Sequence, residues 1–423
     1  MKKPPYLCGL DFGTSNSVIC AISTDPHGDP SPVVMSEPTV LFFPWRNTKD
    51  TFTYYVGQEA VQKYVEMGMH GRFIQSLKSV LHDPDFDMTM IYGVPFTPIE
   101  LTELILTNLK QKMEAKLGTT LDTVVMGRPV MFSEDPEEDQ TAQRRIHSAA
   151  RKCGFKYISF QLEPIGAAYS YEARLTKAET VLVVDLGGGT TDYTIMNLDP
   201  QKRHALDRTQ DILATGGVHI GGDDFDASIM WHALAPYFGY GSQFEDWNRL
   251  FDFPIHFFTT LCTWYDIAKL KESPFKEDLH SILRTSTNKP AVRRLKTLIE
   301  EDLGFGLFKA IEHTKKAFSE LDQTSIHFES PHLSVHEPVS RAAFEGYIAE
   351  HVEAIHSALT ETLQRAHKKE ADIDSILMTG GSSLVSVIQT TMAARFGGNK
   401  IIPDSNRFTG VAVGLALGCG YSL

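Results

Sequence analysis

Cysteine is scarce in this chain: the five present (Cys8, Cys20, Cys153, Cys262, Cys419) are scattered and form no Cys-x-x-Cys pair. A reducing cytoplasm fits that usage best. Cys8 and Cys20 lie in apolar stretches and read as small core fillers. No apolar run is long enough to span a bilayer. The opening MKKPPYLCGLD has no apolar segment before Asp11, so it does not read as a secretory signal. Positive charge is in deficit, with 40 Lys and Arg against 53 Asp and Glu and a net charge of −13. Sequence-independent binding to nucleic acid or to an anionic membrane is therefore not expected. GxxxxGK[ST], HExxH and GxSxG are all absent, which excludes a P-loop NTPase, a zincin and a nucleophile elbow. His351 and His356 are five apart in an amphipathic stretch, too far round a helix to share one metal, and are expected at the surface. What remains is 423 residues, 42% hydrophobic and 22% charged, ordinary for a globular chain of two or more domains.

Glycine, by contrast, is concentrated where it is informative. Residues 181–196 read VLVVDLGGGTTDYTIM. A β-branched run, Val181 to Val184, predicts a buried strand, and Tyr193 to Met196 a second one. Three glycines between them make a hairpin whose backbone N–H groups stay uncovered, a concave donor surface suited to anions. Asp185 stands at the strand end. A carboxylate beside an anion cradle is repulsive unless a cation lies between, and Mg²⁺ is the usual cation for a phosphate chain. A plain turn would show the same glycines. However, residues 7–20, LCGLDFGTSNSVIC, repeat the device with Asp11, Gly13 and Thr14. Two copies suggest internal duplication and two loops that hold a polyphosphate from opposite sides.

With these loops the chain resembles the actin-like ATPase superfamily, and within it the Hsp70 nucleotide-binding domain. The stretches GRPVMF (127–132), FQLEPIGAAYSYEARL (160–175), GGDDFD (221–226) and LMTGGSS (377–383) are the more specific to Hsp70. The likeness is weak over about 30–118 and 231–305, and is nearest to short Hsp70-like proteins of the YegD type. It implies an α/β, actin-like ATPase fold: two duplicated RNase H-like lobes around a nucleotide cleft, each with an inserted subdomain. Lobe I would be 1–177, with an insertion at about 38–119 and completion by a helix at 405–423. Lobe II would be 178–404, with an enlarged insertion at about 227–330. The chain stops after that helix, so a peptide-binding cycle within one chain is not the expectation.

The resemblance also assigns residues. Asp11 and Asp185 would hold Mg²⁺ or its waters, although turn capping is their simpler role. Asp192 would orient a metal-bound or attacking water. Thr14 and Thr190 would reach the terminal phosphate, and the backbone around Gly13, Thr14, Ser15, Asn16, Gly187, Gly188 and Gly189 would cradle phosphates. Lys78 would neutralise charge at the γ-phosphate, Glu163 would stand near the metal shell, and Pro129 would couple nucleotide state to a partner domain. The catalytic set is thus Lys78, Glu163, Asp185, Thr190 and Asp192. For ribose and base the resemblance names Gly221, Gly222, Gly380, Gly381, Ser382 and Asp404. It adds Glu312, Lys315, Lys316 and Ser319, spaced along one helical face. One departure stands out: the base-stacking arginine of the family is Leu384 here, which should weaken adenine binding.

Local patterns predict helices at 99–117, 137–153, 164–175, 223–234, 307–321, 342–367 and 408–420. Residues 236–276 are unusually aromatic, either a self-packed insertion or a surface for protein partners. The functional expectation is a slow Mg-dependent ATPase using ATP/ADP as a conformational switch. The alternatives are a nucleotide-dependent assembly module with little turnover and, last, a small-molecule kinase.

Overall fold

The computed structural model describes residues 4–25, 31–45, 52–67, 71–133, 135–172, 174–202, 208–263, 267–271, 273–403 and 409–419. They form mixed α/β structure in two compact units, one of residues 1–219, 357–383 and 392–423, the other of 220–356 and 384–391. None of their helices is long and apolar enough to cross a membrane.

The first unit holds two sheets built by the same wiring. In one, Tyr6–Phe12 pairs antiparallel with Asn16–Ser23 and, on its other side, parallel with Thr123–Arg128. In the other, Glu179–Leu186 pairs antiparallel with Thr191–Leu198 and parallel with Ser375–Thr379. Each glycine hairpin therefore sits at the same corner of its sheet, as the duplicated motif predicts. Val181 to Val184 are at most 1% exposed, because helices and strands cover both faces of a strand that pairs on both edges. Cys8 and Cys20 are fully buried, and burial pushes the Cys20 thiol up to about 12.

A helix, Gly410–Cys419, closes this unit by backbone approach. A Cβ on Gly414 would lie 1.7 Å from the Gly166 carbonyl oxygen in helix Glu163–Glu172. One on Gly9 would lie 2.2 Å from the Ala412 carbonyl. The small-residue run thus lets a helix lie directly on strand and helix backbone. Ala412 and Ala416 pack against Val18, Cys20 and Ile22 of the first hairpin.

The second unit contains the aromatic segment, which packs mostly on itself. Phe238, Phe257 and Phe258 are fully buried, and Phe253 meets Phe258 edge-on at 5.0 Å and Phe257 at 5.4 Å. Trp264 and Tyr265 lie outside the described residues. The hairpin Gln243–Asp246/Arg249–Asp252 turns at Trp247 and Asn248, both left-handed with φ of 52° and 57°. Trp247 is 89% exposed there, with Leu250, Phe251 and Ile255 also exposed.

Most helices differ from expectation only at their ends: Pro98–Leu117, Pro136–Lys152, Glu163–Glu172 and Gly410–Cys419. Three differ in kind. The stretch expected to be helical over 342–367 breaks at Ile348 into Arg341–Tyr347 and Ala349–Arg365. The helix expected over 223–234 is α-helical only over Gly222–Ile229 and continues as a π-turn, Met230–Leu234. The helix expected over 307–321 runs Gly304–Ala317, which leaves Ser319 beyond its end. His351 and His356 are not surface residues. Both are half-buried, and the His351 ring lies 3.1 Å from the Ser228 hydroxyl and against Phe225.

Gly414→Ala forces the two helix backbones apart. The expected cost is on the order of 1–3 kcal/mol, as for other overpacked sites, read as a lower urea midpoint. Gly118→Ala is the comparison: it strains a left-handed helix end, φ 68°, with no neighbour within 4 Å.

Candidate functional site

In the first unit, both glycine loops carry their carboxylates at strand ends. Asp11 is the penultimate residue of its strand, opposite Val18. Gly13 follows, and a Cβ there would meet the Asn16 carbonyl at 2.2 Å, so the tight turn requires glycine. Ser15 and Asn16 are exposed and Thr14 half-buried. In the second loop Asp185 and Asp192 face each other across the ladder. The Gly187 N–H donates to the Thr190 carbonyl at 2.9 Å and closes the turn, while the Thr190 hydroxyl donates to Asp192 Oδ2 at 2.9 Å. Gly187 and Gly189 remain open outward. A Cβ on Gly187 would meet nothing nearer than 3.6 Å, and one on Gly189 only Ser79 Oγ at 4.0 Å.

The turn at Gly380 adds a third wall. Gly380 is left-handed, φ 78°, and a Cβ there would lie 2.3 Å from the Leu186 carbonyl and 2.9 Å from Asp185 Oδ1. The Ser382 hydroxyl donates to the Gly187 carbonyl at 2.9 Å. Gly380 and Ser382 thus sit against the second phosphate-type loop, nearly two hundred residues away in sequence; Gly381 is exposed beside them.

Lys78 lies on the short 3₁₀ turn Leu77–Val80, after Ser76 in left-handed conformation. Its ammonium donates to Glu163 Oε1 at 2.8 Å, with 13% and 9% of the two side chains exposed. Glu163 is the first residue of its helix. This pair joins a 3₁₀ turn to a helix start across 85 residues, and no sequence pattern announces it. Ser79, facing Gly189, is likewise a neighbour that the sequence reading missed. Beside them the Arg128 guanidinium grips Asp139 at 2.7 and 2.8 Å and donates to the Pro129 carbonyl at 3.0 Å, fixing the Arg-Pro turn.

The electrostatics show what the cluster lacks. Four carboxylates, Asp11, Glu163, Asp185 and Asp192, act on one ammonium, Lys78. Burial, then Glu163 and Asp185, raise Asp11 to about 8 against the pull of Lys78. Burial, then Glu163 and Asp192, raise Asp185 to about 7. Burial takes Asp192 to about 6, opposed by its hydrogen bond from Thr190. For Lys78, burial disfavours the charge, but Glu163 and Asp11 outweigh it and the ammonium is held above its ordinary range. A divalent cation fits this donor set. No group of three potential ligands among the described residues converges tightly enough to grip an ion directly. Mg²⁺ keeps several of its waters and takes one or two carboxylates.

The residues expected at the nucleoside lie in the second unit, apart from the Gly380 turn. Gly221 caps helix Gly222–Ile229, its N–H donating to Asp224 Oδ2 at 2.7 Å. Lys315 is buried and donates to Asp226 Oδ2 and the Gly222 carbonyl, both at 2.8 Å. It is a tie for the Gly221–Gly222 turn rather than a free cation. Glu312 lies between Lys309 and Lys316, at 2.7 and 2.6 Å. Burial pushes its carboxyl up, yet the two lysines prevail and hold it well below the usual range. Ser319 is exposed and donates to the Lys316 carbonyl at 2.7 Å, so the four residues do not present one helical face. Lys315, Phe318, Ser319, Arg341, Phe344 and Ser386 line a narrow pocket. Arg341 was not foreseen. Leu384, where the resemblance leads one to expect arginine, is 39% exposed. Asp404 lies outside the described residues.

A pH dependence follows. Carboxyls raised in the fold are stabilised there as acids, so their contribution is fully present below pH ~4 and is lost as pH rises through about 6 to 8. In EDTA, the melting temperature is expected to fall across that window. Asp11→Asn, which keeps the shape without the charge, should flatten the fall, as differential scanning at pH 5 and 8.5 would reveal.

Comparisons with known proteins bear on the family of the chain. The family model described as Hsp70 protein matches residues 48–242 and 298–422. The second-loop set falls inside the match, while the Asp11 loop and most of the aromatic insertion fall outside it. The chaperone protein DnaK of Thermosipho melanesiensis is 26% identical over 99% of this chain and 60% of its own length. DnaK of Thermosipho africanus is 27% identical with the same coverage. The chain thus spans about three-fifths of the length of these relatives. The match covers well over half of the residues, and the chain belongs to the Hsp70 family, with the actin-like ATPase fold that membership carries.

Proposed function

We propose that the chain binds ATP and ADP with Mg²⁺ and hydrolyses ATP slowly, as the nucleotide-driven switch of a chaperone-related protein. The observation that carries the reading is the gathering of half-buried carboxylates at the ends of two glycine loops, with Lys78 as the one ammonium among the described residues acting on them. Bound Mg²⁺ would supply charge neutralisation for the phosphates and their leaving oxygen. Asp11 and Asp185 would hold it through its waters, and Asp192, fixed by the Thr190 hydroxyl, would orient the attacking water. The N–H groups around Gly13 and Gly187 to Gly189 bind phosphate oxygens without reorganising. Lys78, positioned by Glu163, meets negative charge as it develops. Buried carboxylates near neutrality accept a proton from water more readily than exposed ones. Asp192, held by the Thr190 hydroxyl at 2.9 Å, is the best placed to do so.

Family membership and the DnaK likeness support nucleotide binding; the partner and any peptide substrate do not follow from them. The exposed Trp247 hairpin is the natural place to search for a protein partner. Leu384 favours a second reading, in which weak base contact leaves a binding module with little turnover.

Calorimetry with Mg-ATP and Mg-ADP, with phosphate release in parallel, separates these. Binding with slow release is expected, and both should vanish in Asp11→Asn/Asp185→Asn. Lys78→Ala should keep binding and lower release by roughly 10²- to 10³-fold, the usual effect of removing one charge-stabilising donor. Binding without release would make the chain a binding module, and turnover that rises on adding a sugar would make it a kinase.

A further inference from the structure

The hairpin Gln323–Glu329/Ser334–Ser340 carries a pair of residues that nucleotide chemistry does not use. Its strands alternate: Ile326, Phe328, Val335 and Val339 are buried, while His327, Glu329, Ser334 and His336 are exposed. His327 faces His336 directly across the ladder. Bonded and non-bonded pairs alternate along antiparallel strands. On this register the Ser330 N–H donates to the Leu333 carbonyl at 2.9 Å, and the Arg341 N–H to the Asp322 carbonyl at 2.8 Å. Both mark bonded pairs, and stepping inward from either end makes His327/His336 a non-bonded pair. Pro338, opposite Ser325, agrees, since it has no N–H to give at a bonded position.

Non-bonded pairs bring opposing Cα atoms to ~4.5 Å, the closest side-chain approach a sheet offers. The two imidazole centres are 5.8 Å apart, with planes at 78°. Two imidazoles sharing one tetrahedral ion through bonds of ~2.0–2.1 Å hold their centres on the order of 5 Å apart. A small rotation of each ring therefore suffices. Glu329 stands next along the same face, with Oε1 accepting the Ser334 hydroxyl at 2.6 Å.

We propose that His327 and His336 form a surface chelate for a borderline divalent transition ion, Zn²⁺ first among them, with Glu329 supplying a further oxygen. Imidazole suits Zn²⁺, Cu²⁺ and Ni²⁺, whereas Mg²⁺ takes oxygen, so this site differs in kind from the carboxylate cluster. Among the described residues no three ligands are preassembled, so two imidazoles carry the affinity and waters complete the shell. The strands lead out of helix Gly304–Ala317 and into helix Arg341–Tyr347. Those helices present Lys315 and Arg341 to the pocket. A chelated ion ties the two strands together outside it.

The test is a Zn²⁺ titration of the full chain against a fluorescent zinc indicator in excess Mg²⁺. One site is expected. His327→Ala and His336→Ala should each weaken it by about tenfold or more. His332→Ala, whose ring is engaged by Glu301 at 2.7 Å, should leave it unchanged. Metal-free melting temperatures check that the variants fold. Hydrogen exchange on the wild type is independent of any variant: Zn²⁺ should slow the amides of 323–340. No zinc uptake, wild-type affinity in both histidine variants, or uptake without protection of that hairpin would each overturn the assignment.

Discussion

Negative charge gathered against one lysine, among the described residues, is the constraint around which the first unit is arranged. A carboxylate taken from water and left uncompensated is costly, and the group responds by holding a proton or awaiting a cation. Asp11, Asp185 and Asp192 are raised as acids by burial and by neighbouring carboxylates, and they stand at the two glycine loops. The Lys78–Glu163 pair neutralises one carboxylate and leaves the rest. Crowding of like charge costs stability at one spot, a trade common at reactive sites.

The hairpins were legible because everything that defines them is local. A β-branched run, a carboxylate, glycines and a second run fix strand, strand end, turn and strand within sixteen residues. Duplication doubled the signal. The close of helix Pro98–Leu117 was legible for the same reason, through Gly118 as its left-handed cap. The Lys78–Glu163 bond was not, since a lysine on a 3₁₀ turn and a glutamate at a helix start share no periodicity. Nor was the contact of Ser382 with Gly187, which depends on the parallel strand Ser375–Thr379.

In the second unit, pattern misled where tertiary contacts override it. Apolar spacing runs unbroken through Ile348, yet the backbone leaves helical geometry there, with φ −101° and ψ 7°, and the short helix before it has its own N-cap in Ser340, which accepts the Ala343 N–H. The i, i+3, i+4, i+7 spacing of Glu312, Lys315, Lys316 and Ser319 read as one binding face. The fold instead buries Lys315 against Asp226 and ends the helix before Ser319. A buried ion pair of this kind is better evidence of a fixed arrangement than of stability.

The seating of helix Gly410–Cys419 on the hairpin Tyr6–Ser23 also bears on how the chain acquires its structure. Two segments separated by about four hundred residues supply one small core, Val18, Cys20 and Ile22 against Ala412 and Ala416. Closing so long a loop costs entropy before any contact forms. During synthesis the hairpin emerges early with one face uncovered, and it stays so until residues beyond 410 leave the ribosome. Throughout that interval an apolar strand pair is available to other chains. A member of a chaperone family is, by this geometry, exposed to aggregation while it is being made.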